Sequence, residues 1–130
     1  MLLDIDIDSF ELKHKFTISR GSKNSAEVIT VSIKDSGFIG LGECVPYKRY
    51  GESIESVSKE ILSVPLPVNN EKLQTILKHG AARNAIDCAL WDLQAKKEGK
   101  PVWKLLNLTK PKPAVTTLSL IHISEPTRRM

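Results

Sequence analysis

The spacing of apolar residues changes partway along the chain, and this change limits most strongly what the chain can fold into. Residues 3–8 read LDIDID, with apolar and acidic side chains in strict alternation. A period of two is typical of a strand with one buried face, so the acidic face should be exposed to water. Residues 81–97 instead carry a single apolar stripe at helical spacing. Strands followed by helices predict an α+β fold.

Three strands are predicted before the first helix, and together they form an antiparallel meander. The alternating segment continues to residue 12, residues 28–34 are rich in β-branched side chains, and residues 38–43 follow an Asp-Ser-Gly turn. Gly40 and Gly42 share one face of the third strand. Missing side chains on a strand face indicate a bulge or the close approach of another backbone.

Two loops are predicted at the ends of these strands. Residues 13–26 are polar and basic, which predicts a loop of about fourteen residues, a length typical of functional lids or disordered segments. Residues 44–52, CVPYKRYGE, form the second loop.

Helices and a final strand follow the second loop. Ser, Asn and Gly residues at the expected cap positions mark where the helices begin and end. The predicted helices cover residues 53–62 with Ser53 as cap, residues 71–79 with Asn70 as cap and Gly80 as terminator, residues 81–97 with Gly99 following, and residues 101–106. Residues 114–120, AVTTLSL, predict the start of another strand.

Composition excludes several classes of protein. The chain has 130 residues, 41% of them hydrophobic, which fits one globular domain. No run approaches the roughly 20 apolar residues that span a bilayer, and the amino terminus lacks the pattern of a secretory signal, so we expect a cytoplasmic protein without membrane contact. The formal net charge of +4 comes from scattered basic residues, which argues against nucleic acid as a partner. Cys44 and Cys88 lack metal-binding spacing and are expected to be reduced thiols.

Few residues suggest catalysis. Asp87 and Asp92 are five residues apart on the predicted long helix, so they point in different directions and cannot share a metal through one face. We interpret both as structural carboxylates. In the first loop, Arg20 could pair with a substrate carboxylate, although a lone arginine in a loop is more often solvated. In the second loop, Tyr47 and Tyr50 could form a pocket wall or equally could pack beneath their own loop.

Three segments of the sequence resemble a known family. They are FTISRGSKNSAEV (16–28), GECVPYKRYGES (42–53) and HGAARNAIDCALWDLQAKKEGKPVWKLL (79–106). These segments resemble the amino-terminal capping domain of the enolase superfamily, in its muconate-lactonizing subgroup, and most of all the dipeptide epimerases of the L-Ala-D/L-Glu type. The resemblance extends from residue 1 to about residue 117.

The resemblance implies a division into domains and a set of substrate-binding residues. Residues 1–112 would form the cap, and residues 113–117 would begin the first strand of a (β/α)₇β barrel that the chain does not continue into. The family's two flexible loops close on the substrate, and here they would be the two predicted loops. Arg20 would then hold the glutamate-side carboxylate of a dipeptide, and the loop walls would be Phe16, Ile18 and Tyr50.

The family's chemistry is 1,1-proton transfer at the carbon next to a carboxylate, through an enolate stabilised by Mg²⁺ and with two lysines as base and acid. Those groups lie on the barrel, so the resemblance implies no catalytic residue and no metal ligand in this chain, and no epimerase activity for the chain alone. Its partners would be the dipeptide and the barrel of the full-length parent, whose oligomeric state stays open. The alternatives are the cap of a muconate cycloisomerase, an o-succinylbenzoate synthase or an N-acylamino acid racemase, or a stand-alone binding module that catalyses nothing.

The last thirteen residues, 118–130, do not continue the family's pattern. Residues 118–128, LSLIHISEPTR, resemble the in-frame translation of a sequencing-library adapter of the transposase type. We therefore exclude this tail, with His122, from fold and function arguments.

This interpretation predicts that the native gene departs from the given sequence after codon 117. Reading genomic DNA across codon 118 should show the continuation of a first barrel strand. A chromosomal reading frame that continues into SEPTRRM and a stop codon would contradict the adapter interpretation.

Overall fold

A computed structural model describes the backbone of residues 1–18 and 21–116, and the side chains of these residues except 16–18. The predicted meander is confirmed. Its strands are β1 (Leu2–Ile18), β2 (Gly21–Asp35) and β3 (Phe38–Cys44), paired antiparallel in the order β1-β2-β3. Between β2 and β3, Ser36 and Gly37 have φ angles of 52° and 81°, as a tight two-residue hairpin turn requires.

The predicted loop at residues 13–26 is wrong for most of its length. β1 and β2 extend through it as a hairpin, in which Phe16 pairs with Lys23 and Ile18 pairs with Gly21. A register irregularity between Glu11 and Phe16 interrupts the pairing. The side chains of residues 11–15 and 21–25 are exposed, so backbone pairing contributes more than burial at these positions. Strand residues that are exposed on both faces lack the alternation by which strands are recognised in a sequence.

Four helices follow the sheet in the described part of the chain: α1 (Ile54–Leu62), α2 (Asn70–Ile76), α3 (Ala81–Glu98) and α4 (Val102–Leu105). Ser53 caps α1 as predicted, and its side chain accepts a hydrogen bond from Ser56 N at 3.0 Å. α3 ends at Gly99, which has a left-handed φ of 61°. None of the helices in this part of the chain has both the length and the apolar character needed to cross a membrane.

The predicted cap and end of α2 are wrong. Asn69 is the cap, because its side chain accepts a hydrogen bond from Lys72 N at 2.8 Å. Asn70 instead donates to the Asp87 carboxylate on α3 at 2.8 Å. The helix stops at Ile76, ahead of the predicted terminator Gly80. Two adjacent asparagines are equally good caps, so the contact with α3 decides between them.

The predicted strand at residues 114–120 stays a prediction. Residues 114–116 form no regular secondary structure, and residues 117–130 lie outside the described part of the chain, together with the adapter-like tail.

The core lies between one face of the sheet and the helices. The acidic face of β1 is exposed, as predicted. Leu3 and Ile5 on the opposite face pack against the core beside α1, whereas Ile7 and Phe10 further along the strand are exposed. The centre of β2 supplies fully buried side chains, and α3 supplies mostly small ones. The buried residues at this contact are Ile29, Val31, Ile33, Ala82, Ala85, Ile86, Ala89 and Leu93.

α3 packs directly on the backbone of β3. A Cβ atom built on Gly40 would collide with the Ala89 carbonyl oxygen and lie 2.7 Å from Leu93 N. One built on Gly42 would collide with the Ala85 carbonyl oxygen and lie 2.9 Å from Ala89 N. The close backbone approach predicted from the two glycines is therefore confirmed.

Side chains of α3 also cover the outer edge of β3. The Asp92 carboxylate accepts a hydrogen bond from Leu41 N at 2.8 Å, and Lys96 Nζ donates to the Ile39 carbonyl oxygen at 2.8 Å. Asp92 and Lys96 also pair with each other at 2.6 Å. Unpaired backbone groups on an edge strand favour association with other chains, and these contacts satisfy two such groups of β3. Asp87 and Asp92 are thus structural carboxylates, as interpreted from the sequence.

We expect Gly42→Ala to destabilise the fold by about 1–3 kcal/mol or more, because the new methyl group would force α3 away from β3. Urea unfolding followed by circular dichroism measures the change. Glu43→Ala, on the exposed face of the same strand, is the matched control and should stay within about 0.5 kcal/mol of the wild type. Equal effects of the two substitutions would contradict this packing argument.

The stability of the fold should fall in acid, partly because of Asp92. Burial raises the pKa of Asp92, but the hydrogen bonds from Lys96 and from Leu41 N outweigh it and leave the pKa below its ordinary value. A carboxyl whose folded pKa is lowered stabilises the fold above its unfolded pKa, and this stabilisation is lost as the pH falls through the folded pKa.

Asp92→Asn should therefore lose less unfolding free energy than the wild type between about pH 5 and pH 2. Unfolding midpoints in urea at several pH values measure the difference. Asp6→Asn, on the exposed acidic face of β1, is the control and should follow the wild type. Parallel pH profiles for Asp92→Asn and the wild type would contradict the assignment.

Candidate functional site

The two segments expected to close on a substrate meet in the structure. We call residues 12–18 and 21–27 the hairpin arm, and residues 45–52 the aromatic loop. Lys23 Nζ on the arm lies 5.4 Å from the centroid of the Tyr47 ring in the loop. The rings of Tyr47 and Tyr50 are 5.4 Å apart between centroids and are inclined at 53°. Lys23, Tyr47 and Tyr50 therefore form a continuous row of contacts from the arm into the loop.

A cleft of about 740 Å³ opens between the arm and the start of the loop. Its charged groups include two lysines, Lys13 and Lys23, and one carboxylate, Glu27. The apolar part of its lining is formed by Leu12, Val45 and Pro46. A cleft with an excess of cations and an apolar wall suits a small organic anion.

The aromatic loop is held in place by Glu52. One carboxylate oxygen of Glu52 accepts from Ala81 N at 2.8 Å, at the first residue of α3, and the other accepts from Tyr47 N at 3.3 Å. Gly80 at the cap position of α3 has no side chain, so Glu52 supplies the acceptor that a capping side chain normally provides. Glu52 thus links the aromatic loop to the first residue of α3.

Tyr50 is not among the residues that line the cleft. Its side chain is 75% exposed, and it lines a second groove of about 560 Å³ together with Glu60 of α1 and residues 78–80. A role for Tyr50 as a wall of the substrate site stays a prediction.

The other predicted binding residues are described only in part. Phe16 and Ile18 lie on β1 beside the end of the hairpin, and their side chains are outside the described set. Arg20 falls between the two described ranges, so its predicted role stays a prediction. Lys23 and Glu52 were not singled out in the sequence. The signal for Lys23 was the basic character of the arm, whereas nothing local indicates that Glu52 contacts Ala81.

Neither a reactive thiolate at Cys44 nor a cluster of metal ligands is present in the described part of the chain. Burial raises the pKa of the Cys44 thiol to about 11, with the Glu52 and Glu43 carboxylates acting in the same direction, so Cys44 is not a thiolate near neutral pH. Cys88 is exposed on α3. Within residues 1–18 and 21–116, no three His, Cys, Asp or Glu side chains form a cluster that could hold a metal ion. The Mg²⁺ implied by the resemblance does not fit any site in this part of the chain.

Comparison with known proteins shows the family. Residues 5–107 match the N-terminal domain of the mandelate racemase / muconate lactonizing enzyme family. The chain belongs to this family, and its sheet followed by helices is the capping-domain fold that the sequence predicted.

Two curated relatives are an epimerase and a racemase. The chain is 42% identical to the L-Ala-D/L-Glu epimerase of Escherichia coli K12 over 119 residues, which is 88% of this chain and 37% of the relative. It is 44% identical to an N-acetyl-D-glutamate racemase of Pseudoalteromonas over 88 residues, covering 63% of this chain and 28% of the relative. The chain therefore spans about a third of the length of the curated relatives it matches.

Two similar solved structures are also a dipeptide epimerase and an enolase family member with homology to dipeptide epimerases. An enolase family member from Agrobacterium tumefaciens with homology to dipeptide epimerases, crystallised with sodium and L-Ala-L-Glu, matches with a TM-score of 0.78 at 46% identity, over 82% of this chain and 34% of that one. A dipeptide epimerase from Enterococcus faecalis, complexed with Mg and L-Leu-L-Tyr, matches with a TM-score of 0.68 at 28% identity, over 80% of this chain and 33% of that one.

Proposed function

We propose that the chain is the substrate-capping domain of a Mg²⁺-dependent dipeptide epimerase that acts on dipeptides of the L-Ala-D/L-Glu type. The observation that carries this proposal is the 42% identity to the L-Ala-D/L-Glu epimerase of Escherichia coli over 88% of the chain. The cap would cover the barrel of the full-length parent and close its two segments on the dipeptide. The parent would be a cytoplasmic enzyme.

The charge of the cleft supports an acidic substrate. Lys13 and Lys23 outnumber Glu27 along its lining, and Arg20 stands between the two ranges of the arm in the sequence. A guanidinium can bind a carboxylate through two parallel hydrogen bonds, which a lysine cannot do. We assign Arg20 to the glutamate-side carboxylate, with Phe16, Ile18 and Tyr50 as the apolar surroundings of that contact.

The catalytic groups would come from the barrel. Stabilising the charge that develops when a weakly acidic α-proton is removed needs a cation, and Mg²⁺ supplies it in the proposed parent. Its ligands and the two proton-transferring lysines are assigned to that barrel. The part played by this chain is to bind the substrate, orient it and exclude water.

A second candidate is the cap of an N-acetyl-D-glutamate racemase. It is favoured by the 44% identity to the Pseudoalteromonas racemase, which is limited to 63% of this chain. Both candidates present a glutamyl carboxylate to the cap, so they share the assignment of Arg20 and differ in the group attached to the glutamate nitrogen.

A chimeric enzyme tests the proposal. Residues 1–117 would replace the corresponding domain of the Escherichia coli epimerase, and epimerisation of L-Ala-L-Glu would be followed by exchange of the α-proton with deuterium. We expect activity from the chimera and none from residues 1–117 alone. A folded chimera that converts N-acetyl-D-glutamate but not the dipeptide would favour the second candidate.

Arg20→Ala in this chimera should raise KM for L-Ala-L-Glu about 10- to 100-fold, because a charged hydrogen-bond partner is lost. KM for a dipeptide with an uncharged second residue should change far less. Lys59→Ala, which removes an exposed cation of α1 paired with Glu55 at 3.1 Å, is the control and should leave both values unchanged. The assignment of Arg20 fails if both dipeptides lose affinity equally.

A further inference from the structure

Tyr47, in the aromatic loop, contacts the hairpin arm and is linked to α3 through Glu52. Its ring contacts Lys23 of the arm and Tyr50 of the loop, in both cases at 5.4 Å. Its side chain is only partly exposed, although the loop around it is open to solvent. Tyr47 therefore belongs to one of the two segments that the proposed function places around the substrate, and it contacts the other.

The backbone of Tyr47 is held from several directions. Its N–H donates to Glu52 Oε1 at 3.3 Å, and its carbonyl oxygen accepts from Tyr50 N at 2.9 Å and from Glu52 N at 3.3 Å. Because Glu52 is itself bound to Ala81 N at 2.8 Å, these bonds connect Tyr47 to the first turn of α3. The backbone of Tyr47 is thus anchored to α3 by hydrogen bonds through Glu52.

The hairpin arm is supported by the pairing of its two strands. Beyond the irregularity at Glu11, β1 pairs only with β2, and the side chains of Lys13, His14 and Lys15 on β1 are exposed. An isolated two-stranded ribbon in water is marginally stable. A contact between Lys23 and a fixed aromatic ring is therefore well placed to set where the arm lies.

We propose that Tyr47 is a positioning residue that couples the hairpin arm to the aromatic loop through its contact with Lys23. This contact would set the distance between the two segments around a bound dipeptide, and that consequence rests on the proposed function. The coupling itself is a property of the capping domain. Coupling between two segments is reciprocal, so loss of the cation must loosen the loop and loss of the ring must loosen the arm.

Amide hydrogen exchange of the full chain, followed by mass spectrometry, tests the coupling. Tyr47→Leu should speed exchange in the arm, residues 21–27, by about two- to fivefold, the range expected for an exposed cation–π contact. Tyr47→Phe keeps the ring and should exchange like the wild type. Exchange in residues 85–93 of α3 should be unchanged, which separates local loosening from global unfolding.

The reciprocal variants complete the test. Lys23→Met should speed exchange in residues 45–51 by a similar factor, whereas Lys23→Arg should preserve the wild-type rate because it keeps a cation over the ring. Lys13→Met removes the other lysine of the cleft and is the matched control. In the double variant Tyr47→Leu with Lys23→Met, the effects should not add.

The coupling is refuted if Tyr47→Leu and Tyr47→Phe loosen the arm equally, or if Lys23→Met leaves the loop unchanged. Neither readout needs a substrate or a barrel, so the outcome is independent of the proposed function. In the chimera, Tyr47→Leu should raise KM for L-Ala-L-Glu and leave kcat unchanged. Loss of that effect with the exchange results intact would overturn the link to substrate binding and leave the coupling standing.

Discussion

The close contact between the backbone of β3 and the backbone of α3 is the constraint on which the rest of this structure depends. It is possible only because Gly40 and Gly42 have no side chains and because the helix presents Ala85 and Ala89 at the same points. Interiors pack at near-crystalline density, so an approach this close leaves no room for the helix to shift or rotate. The position of α3 then determines where its first residue lies, and with it the place to which the aromatic loop is fastened.

Polar contacts from α3 extend this constraint to the rest of the fold. Asp92 and Lys96 satisfy the edge of β3, Asp87 binds Asn70 at the start of α2, and Ala81 N binds Glu52. Each contact uses a group that the helix would otherwise expose to water or leave unsatisfied at its end. The described core is thus closely connected, and the hairpin arm extends from it as a ribbon whose side chains at residues 11–15 and 21–25 are exposed.

The candidate site could be predicted from the sequence only in part. The segments at 13–26 and 44–52 were identified, and the tyrosines of the second were recognised as a possible pocket wall. Lys23 was not singled out because it is one of several basic residues in its segment, and Glu52 was not because it stands in no local pattern. Lys23 meets a ring 24 positions further along the chain, and Glu52 caps a helix that begins 29 positions away. Such partners become neighbours only after the sheet and α3 have packed together.

By itself, the sequence determined the elements whose evidence is local or periodic. Alternation indicated β1, β-branched residues and a turn indicated β2 and β3, and helical spacing with capping residues indicated α1 and α3. Two glycines indicated the close backbone contact, and three longer segments indicated the family. Tertiary structure alone decided that the described residues of 13–26 pair as strands, that Asn69 rather than Asn70 caps α2, and that Lys23 contacts the Tyr47 ring. The physical reason is common to all three. Each depends on cross-strand or cross-element contacts whose free energy is gained only when distant residues meet, so the local sequence carries little trace of it.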